Sequence, residues 1–195
     1  MGVSILLGAL SLVIAFIFDW ASWLRLPRIK PLLGVGVCIT FFGALAWTLA
    51  DSQRLPWPRW LTLAGWPLFI LSGALLIWSL FIEIPFVATY ARQGVGNTLV
   101  KTGTYALVRH PGVIWYALWL LALALISRGR LMLAAAVIWS VLNALYVWLQ
   151  EVFLFSKMFP GYPAYQKETP MLVPTRQSAA RCLQTIGRRP HTASS

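Results

Sequence analysis

Long apolar runs alternate with short polar breaks along most of this chain. Each run is close to the roughly 20 residues that an α-helix needs to cross a bilayer, and they cover residues 2–23, 32–50, 60–86, 111–126 and 131–150. The pattern therefore predicts an all-α, polytopic membrane helix bundle with about five transmembrane helices. The last helix is expected to continue past Glu151 as a C-terminal cytoplasmic helix, until Pro160 and Gly161 break it.

The break between the fourth and fifth runs is very short. Only Ser127-Arg128-Gly129-Arg130 separates them, which predicts an antiparallel helical hairpin. The fifth helix then returns to the end of the bundle at which the fourth began. We therefore expect Glu151 to lie near His110.

The composition supports a membrane protein with one compact domain. The chain of 195 residues is 59% hydrophobic and only 11% charged, whereas a soluble domain carries roughly 25% charged residues. Eleven tryptophans suit the aromatic belts at membrane interfaces. We predict a single domain over residues 1–174, in which residues 90–174 form the cofactor-binding part, followed by a basic, disordered tail over residues 175–195.

The net charge of +11 reflects membrane topology rather than nucleic-acid binding, because no nucleic-acid-binding motif accompanies it. Twelve of the 16 basic residues fall on one side of a five-helix arrangement. The positive-inside rule places that side in the cytoplasm. We thus predict a multi-pass protein of a bacterial-type inner (plasma) membrane, with its N-terminus outside and with the loop after the third helix and the tail in the cytoplasm. The two cysteines show no metal-ligand spacing, so no metal site is predicted.

The longest polar interruption, residues 88–110, holds the candidate chemistry. Its last part combines Tyr105, Arg109 and His110, which offer a stacking face, a fixed positive charge and a titratable donor. One reading is a basic interfacial anchor followed by Pro111 in the first helical turn. The other is a ligand site in which Glu151 is the acidic partner. A purely structural ion pair between Arg109 and Glu151 is compatible with both readings.

The spacing Leu99-Val100-x-x-Gly103-x-Tyr105-x-x-x-Arg109-His110-Pro111 closely resembles the loop of isoprenylcysteine carboxyl methyltransferases and their phospholipid-methyltransferase relatives. The residues after the hairpin continue the resemblance. They repeat that family's acidic residue, aromatic-glycine turn, tyrosines and closing proline, here Glu151, Phe159, Tyr162, Tyr165 and Pro174. The resemblance covers about residues 90–174.

The resemblance implies an integral membrane methyltransferase that uses S-adenosylmethionine. It implies that the loop holds the cofactor largely through its backbone. The implied cofactor-binding residues are Asn97, Thr98, Leu99, Val100, Tyr105, His110, Pro111, Gly112 and Glu151. We predict Arg109 and His110 as the catalytic residues, since either side chain can orient the acceptor; no general base is assigned.

The methyl acceptor is expected to be lipophilic and to enter from the bilayer. A phospholipid amine, a prenylcysteine carboxylate, a small thiol and a quinone-like lipid remain open. The isoprenylcysteine enzymes carry an arginine four residues before the glutamate, which meets the substrate carboxylate, but here that position is Val147.

Two other functions compete with methyl transfer. Sterol and steroid reductases have a similar Arg-His-Pro loop and use NADPH. A non-enzymatic membrane scaffold or transporter subunit is the second alternative, although the polar groups lie near one interface and the chain shows no internal repeat.

Overall fold

The computed structural model describes residues 2–24, 26, 28–84 and 99–187. Within these ranges the chain is helical and has no β-strand beyond one isolated bridge between Arg54 and Gly129. The helices are α1 (Gly2–Trp23), α2 (Ile29–Leu49), α3 (Arg59–Ile77), α4 (Thr104–Leu107), α5 (Pro111–Ser127), α6 (Arg130–Gln150), α7 (Ser156–Met158), α8 (Tyr162–Glu168) and α9 (Arg176–Thr185). Two π-helical turns, Trp78–Glu83 and Glu151–Phe155, extend α3 and α6.

The fold class is the predicted membrane helix bundle. Four helical segments are long and apolar enough to cross a bilayer, namely Gly2–Trp23, Ile29–Leu49, Arg59–Glu83 and Arg130–Met158. The shorter apolar helix α5 lies between α3 and α6 and packs against both. The predicted hairpin of α5 and α6 is confirmed, and α1 and α2 pack on its other side.

The core lies where α1, α2, α5 and α6 meet. Trp139 of α6 is fully buried, and its indole N–H donates to the carbonyl of Ile5 at 3.0 Å. Gly8 lets the indole lie directly against α1, because a side chain at this position would overlap the ring. Many large apolar side chains outside this core are exposed, as expected where lipid replaces water.

A second polar contact joins α1 to α6 near the end at which α6 leaves the bundle. The side chains of Tyr146 and Gln150 both donate hydrogen bonds to the carboxylate of Asp19, which satisfies a charged group inside an apolar bundle. Gln150 directly precedes Glu151. The contact with α1 therefore helps to fix the residue that directly precedes the second π-helical turn.

The third helix differs from its predicted course. Regular α-helix stops at Ile77 and the π-helical turn carries the chain to Glu83, whereas the hydropathy pattern predicted one helix to about residue 86. Hydropathy reports burial and not the number of residues per turn, so it cannot detect such a change. Residues 85–98 lie outside the described residues, and Asn97 and Thr98 are among them.

The prediction of a disordered tail over residues 175–195 is wrong for its first part. Residues 176–185 form α9, which packs against α4. A capping box starts this helix: the Thr175 hydroxyl accepts from the Ser178 amide at 3.1 Å, and the Ser178 hydroxyl accepts from the Thr175 amide at 2.9 Å. The polar composition favoured disorder. The capping box and the burial of Cys182 instead stabilise this segment as a helix.

The packing at Gly8 gives a first prediction. Gly8→Ala should lower the thermal unfolding temperature in detergent, because the new methyl group forces Trp139 and α1 apart at a cost of about 1–3 kcal/mol. Gly43→Ala is the matched control, since a Cβ at Gly43 meets nothing within 4 Å and alanine favours the helix by about 1 kcal/mol. Equal melting temperatures for the two variants would contradict the packing described for α1.

Candidate functional site

The carboxylate of Glu151 is the centre of the polar cluster at the end of α6. Arg109 donates to both of its oxygens, from Nε to Oε1 at 2.7 Å and from Nη2 to Oε2 at 2.9 Å. His110 Nε2 lies 2.8 Å from Oε1, and the Tyr162 hydroxyl donates to the same oxygen at 2.7 Å. Gln166 Nε2 completes the set at 3.2 Å from Oε2. The proximity of Glu151 to His110 that the hairpin predicts is confirmed.

This ion pair is shielded from solvent. The side chains of Arg109 and Glu151 are only 10% and 7% exposed. A charge at such a position is stable only when it is paired and hydrogen-bonded. Burial alone would lower the pKa of the Arg109 guanidinium, but its contact with Glu151 outweighs burial and holds that pKa above its usual value.

Arg109 also ties the loop to the segment after α8. Its Nη1 donates to the carbonyls of Gln166, at 3.2 Å, and Thr169, at 2.5 Å. These carbonyls lie at the C-terminal end of α8, where a cation is favourable. The backbone amides of Arg109 and His110 donate to the carbonyls of Pro170 and Met171 at 2.9 and 3.3 Å. The loop and this segment therefore form one folded unit.

Aromatic rings surround the cluster. The His110 ring stacks on Phe155, with centroids 5.8 Å apart and an interplanar angle of 18°. Tyr162 meets Phe155 edge to face at 5.2 Å. Burial and the neighbouring Glu151 carboxylate raise the pKa of Tyr162 well above its usual value, so its hydroxyl stays a hydrogen-bond donor.

A second glutamate holds the loop at Thr104, the first residue of α4. Glu83, at the end of the first π-helical turn, accepts hydrogen bonds from the Thr104 amide at 2.9 and 3.1 Å and from the Thr104 hydroxyl. It also accepts from the indole of Trp78 at 3.1 Å. Glu83 is not among the site residues predicted from the sequence. A carboxylate directly before a polar loop was the available signal, but nothing in the sequence joins it to Thr104.

Buried Ser79, one turn before Glu83, connects the loop to α5. Its hydroxyl lies 3.1 Å from that of Thr104 and accepts from the indole of Trp115 at 3.1 Å. Its backbone carbonyl accepts from the Tyr105 hydroxyl at 3.3 Å. Tyr105 thus uses its hydroxyl to bind the first π-helical turn.

Gly103 lies where the loop meets the first π-helical turn and the helix α9. Its backbone has a φ of +62°, which favours glycine, and a side chain there would overlap the Glu83 carboxylate. Its amide donates to the Thr185 hydroxyl of α9 at 3.0 Å. The C-terminal helix is therefore part of the loop's support, which the sequence analysis did not foresee.

The remaining predicted site residues occupy different positions. Val100 is buried beside the partly buried Leu99, and both lie in the irregular segment before α4. Pro111 is the buried first residue of α5. Gly112 lies close to α3, since a Cβ there would be 3.3 Å from Leu80. Gly112 therefore has a packing role that is independent of any ligand.

The geometry joins a cation, an imidazole, a carboxylate and aromatic rings in a shielded cluster at the end of an apolar bundle. Such a cluster is able to fix a loop rigidly and to orient a bound ligand through His110 and the adjoining backbone. No group of three or more residues with metal-binding side chains occurs among the described residues. In comparisons with known proteins, no family model, no curated protein and no solved structure matches this chain.

Proposed function

We propose that this chain is an integral membrane methyltransferase that uses S-adenosylmethionine and acts on a lipophilic acceptor. One observation carries the proposal. Arg109 and His110 come from the loop and Glu151 and Tyr162 from the segment after the hairpin, with Glu151 42 residues after Arg109. All four belong to the pattern that resembles membrane methyltransferases, and they meet around the Glu151 carboxylate. A resemblance in spacing alone does not require this convergence.

The residues beside the cluster suit the cofactor. Leu99 and Val100 lie in an irregular segment shortly before the loop glycine and can offer backbone amide and carbonyl groups. The stacked His110 and Phe155 rings provide an aromatic surface for the adenine. Lys101, whose Nζ lies 5.8 Å from the centroid of the Tyr165 ring, supplies a cation for the carboxylate of the cofactor. Bound S-adenosylmethionine supplies a methyl group activated by its sulfonium.

Glu151 and Arg109 have a different role in this proposal from that implied by the resemblance. The Glu151 oxygens already accept five hydrogen bonds from protein groups, whereas a carboxylate has about four acceptor sites. A direct cofactor contact would have to displace one of these donors. We therefore assign Glu151 and Arg109 to positioning His110 and the loop. Proximity and alignment of this kind can supply about 7–11 kcal/mol of a transfer barrier.

The surface next to Glu151 suits an acceptor from the bilayer. Val152 and Phe153 follow it directly and are about half exposed on the lipid-facing side of the bundle. Val147, in the position of the carboxylate-binding arginine of the isoprenylcysteine enzymes, is buried and apolar. Both features favour an acceptor that lacks a carboxylate, such as a lipid amine or a thiol. The predicted orientation gives the site access to the cytoplasm, where the soluble cofactor is available.

Cofactor binding provides the direct test. By calorimetry on the full chain in detergent, S-adenosylmethionine should bind, and His110→Ala and Glu151→Ala should each weaken binding by about tenfold or more. Each variant removes the charged hydrogen bond between His110 and Glu151 that positions the loop, and such a bond contributes about 1.5–3 kcal/mol. Glu168→Ala, which removes an exposed carboxylate, is the matched control and should bind normally. Labelled methyl transfer into total membrane lipid would then identify the acceptor.

Three outcomes would overturn the proposal. Unchanged affinity for S-adenosylmethionine in both His110→Ala and Glu151→Ala would show that these residues do not form the cofactor site. Binding of NADPH instead of S-adenosylmethionine would favour the reductase alternative. Binding of neither cofactor to protein with an unchanged melting temperature would favour a non-enzymatic membrane protein.

The Glu83 contact gives a separate prediction about the loop. Glu83→Gln should speed hydrogen exchange of the Thr104 amide by about tenfold or more, since the lost charge weakens a hydrogen bond that contributes about 1.5–3 kcal/mol. It should also raise KM for S-adenosylmethionine more than it lowers kcat, because the loop loses its position. Glu168→Gln is the control for both measurements. Faster exchange without a change in KM would mean that Glu83 holds the loop but not the cofactor site.

A further inference from the structure

Four arginines gather at the end of the bundle opposite the candidate site. Arg54 and Arg128 lie in the connections between α2 and α3, residues 51–58, and between α5 and α6, while Arg59 and Arg130 are the first residues of α3 and α6. Nothing in the proposed methyl transfer uses them. Their role is independent of that activity.

Backbone hydrogen bonds lock the two connections together. The Leu55 amide donates to the Arg128 carbonyl at 2.7 Å, and the Arg130 amide donates to the Gln53 carbonyl at 3.0 Å. The Arg128 side chain adds a bond from Nε to the Leu55 carbonyl at 3.1 Å. The arginines are therefore carried by one rigid platform rather than by two independent loops.

The platform holds arginine where a smaller residue would fit more easily. Arg128 has a φ of +56°, the left-handed conformation that is uncommon for residues other than glycine. Across the isolated bridge, the Arg54 side chain lies against Gly129: its Nη1 would be 3.3 Å from a Cβ at that glycine. A long cationic side chain thus occupies a strained position, and Arg54 lies beside the residue that follows it.

No carboxylate neutralises this charge. Asp51 is the one acidic residue in these two connections, and none of the four arginines has a carboxylate within 4.0 Å in the part of the chain that the structure describes. The Asp51 Oδ2 atom is itself buried without a hydrogen-bond partner. The positive charge of this platform therefore lacks a counter-ion from the described residues, and a bound anion would offset it.

The surroundings indicate where such an anion comes from. Arg54, Arg59 and Arg130 are exposed, and directly after Arg59 the helix α3 presents Trp60, 65% exposed, on its lipid-facing side. Tryptophan is typical of the headgroup level of a bilayer. The guanidinium group binds phosphate through two parallel hydrogen bonds.

We propose that this platform binds the phosphate headgroups of anionic phospholipid in the leaflet opposite the candidate site. On the orientation predicted from the sequence this leaflet is the outer one, where basic residues oppose correct insertion. Topology therefore gives no reason for four arginines here, whereas lipid binding does. Each basic residue near an anionic surface strengthens the attraction, and salt weakens it.

Lipid retention by the full chain tests the proposal. The protein is placed in mixed micelles of phosphatidylglycerol and phosphatidylcholine, and bound lipid is counted by native mass spectrometry. The variant Arg54→Gln/Arg59→Gln/Arg130→Gln should bind phosphatidylglycerol about tenfold or more weakly. It leaves Arg128 and the backbone bonds of the platform intact. The variant Arg28→Gln/Lys167→Gln/Arg176→Gln removes three exposed charges at the other end and should retain the lipid.

The outcomes separate a lipid site from general charge. Equal loss in the two triple variants, or loss in neither, would overturn the proposal. Displacement of the lipid by inorganic phosphate at millimolar concentration would indicate a site for the free anion and would also overturn it. Equal melting temperatures of the two variants exclude misfolding as the cause of lipid loss.

Discussion

The buried carboxylate of Glu151 is the constraint on which the candidate site depends. A charge at the end of an apolar bundle is costly unless protein groups replace the water that it loses. Here the replacement comes from the loop through Arg109 and His110, and from α8 through Tyr162 and Gln166. Satisfying this one group therefore fixes the loop, the helix α8 and the segment that follows it in a single arrangement.

The two π-helical turns explain how both ends of the loop are held. Each turn lies where a membrane helix ends and each carries a glutamate, Glu83 after α3 and Glu151 after α6. A π-helical turn contains more residues than an α-helical one, so it changes the direction in which the following side chains point. Glu83 thereby reaches Thr104, and Glu151 reaches Arg109. The segment from Thr104 to Arg109 is therefore held at both of its ends, although it contains only the short helix α4.

The sequence predicts the parts of this arrangement that depend on hydrophobic periodicity and turn length. The hairpin of α5 and α6 follows from Ser127-Arg128-Gly129-Arg130, and it alone brings Glu151 to His110. The contacts of Gln166 and Thr185 were not predictable, because they depend on how short helices fold back after a proline-rich break. The helix α9 was missed for a related reason: its stability comes from a cap and from packing on α4, whereas its composition resembles that of a disordered tail.

The five acidic residues are distributed unequally between the two ends of the molecule. Asp19, Glu83 and Glu151 all accept side-chain hydrogen bonds at the end that carries the candidate site. The opposite end has only Asp51, while four arginines are fixed there by a backbone bridge. The protein thus supplies its own anions where it must hold a loop and has fewer of them at the end where we propose that it binds headgroups. Since a rigid cationic surface is most stable beside an anion, the phosphates of the surrounding lipid are the natural complement to this end of the fold.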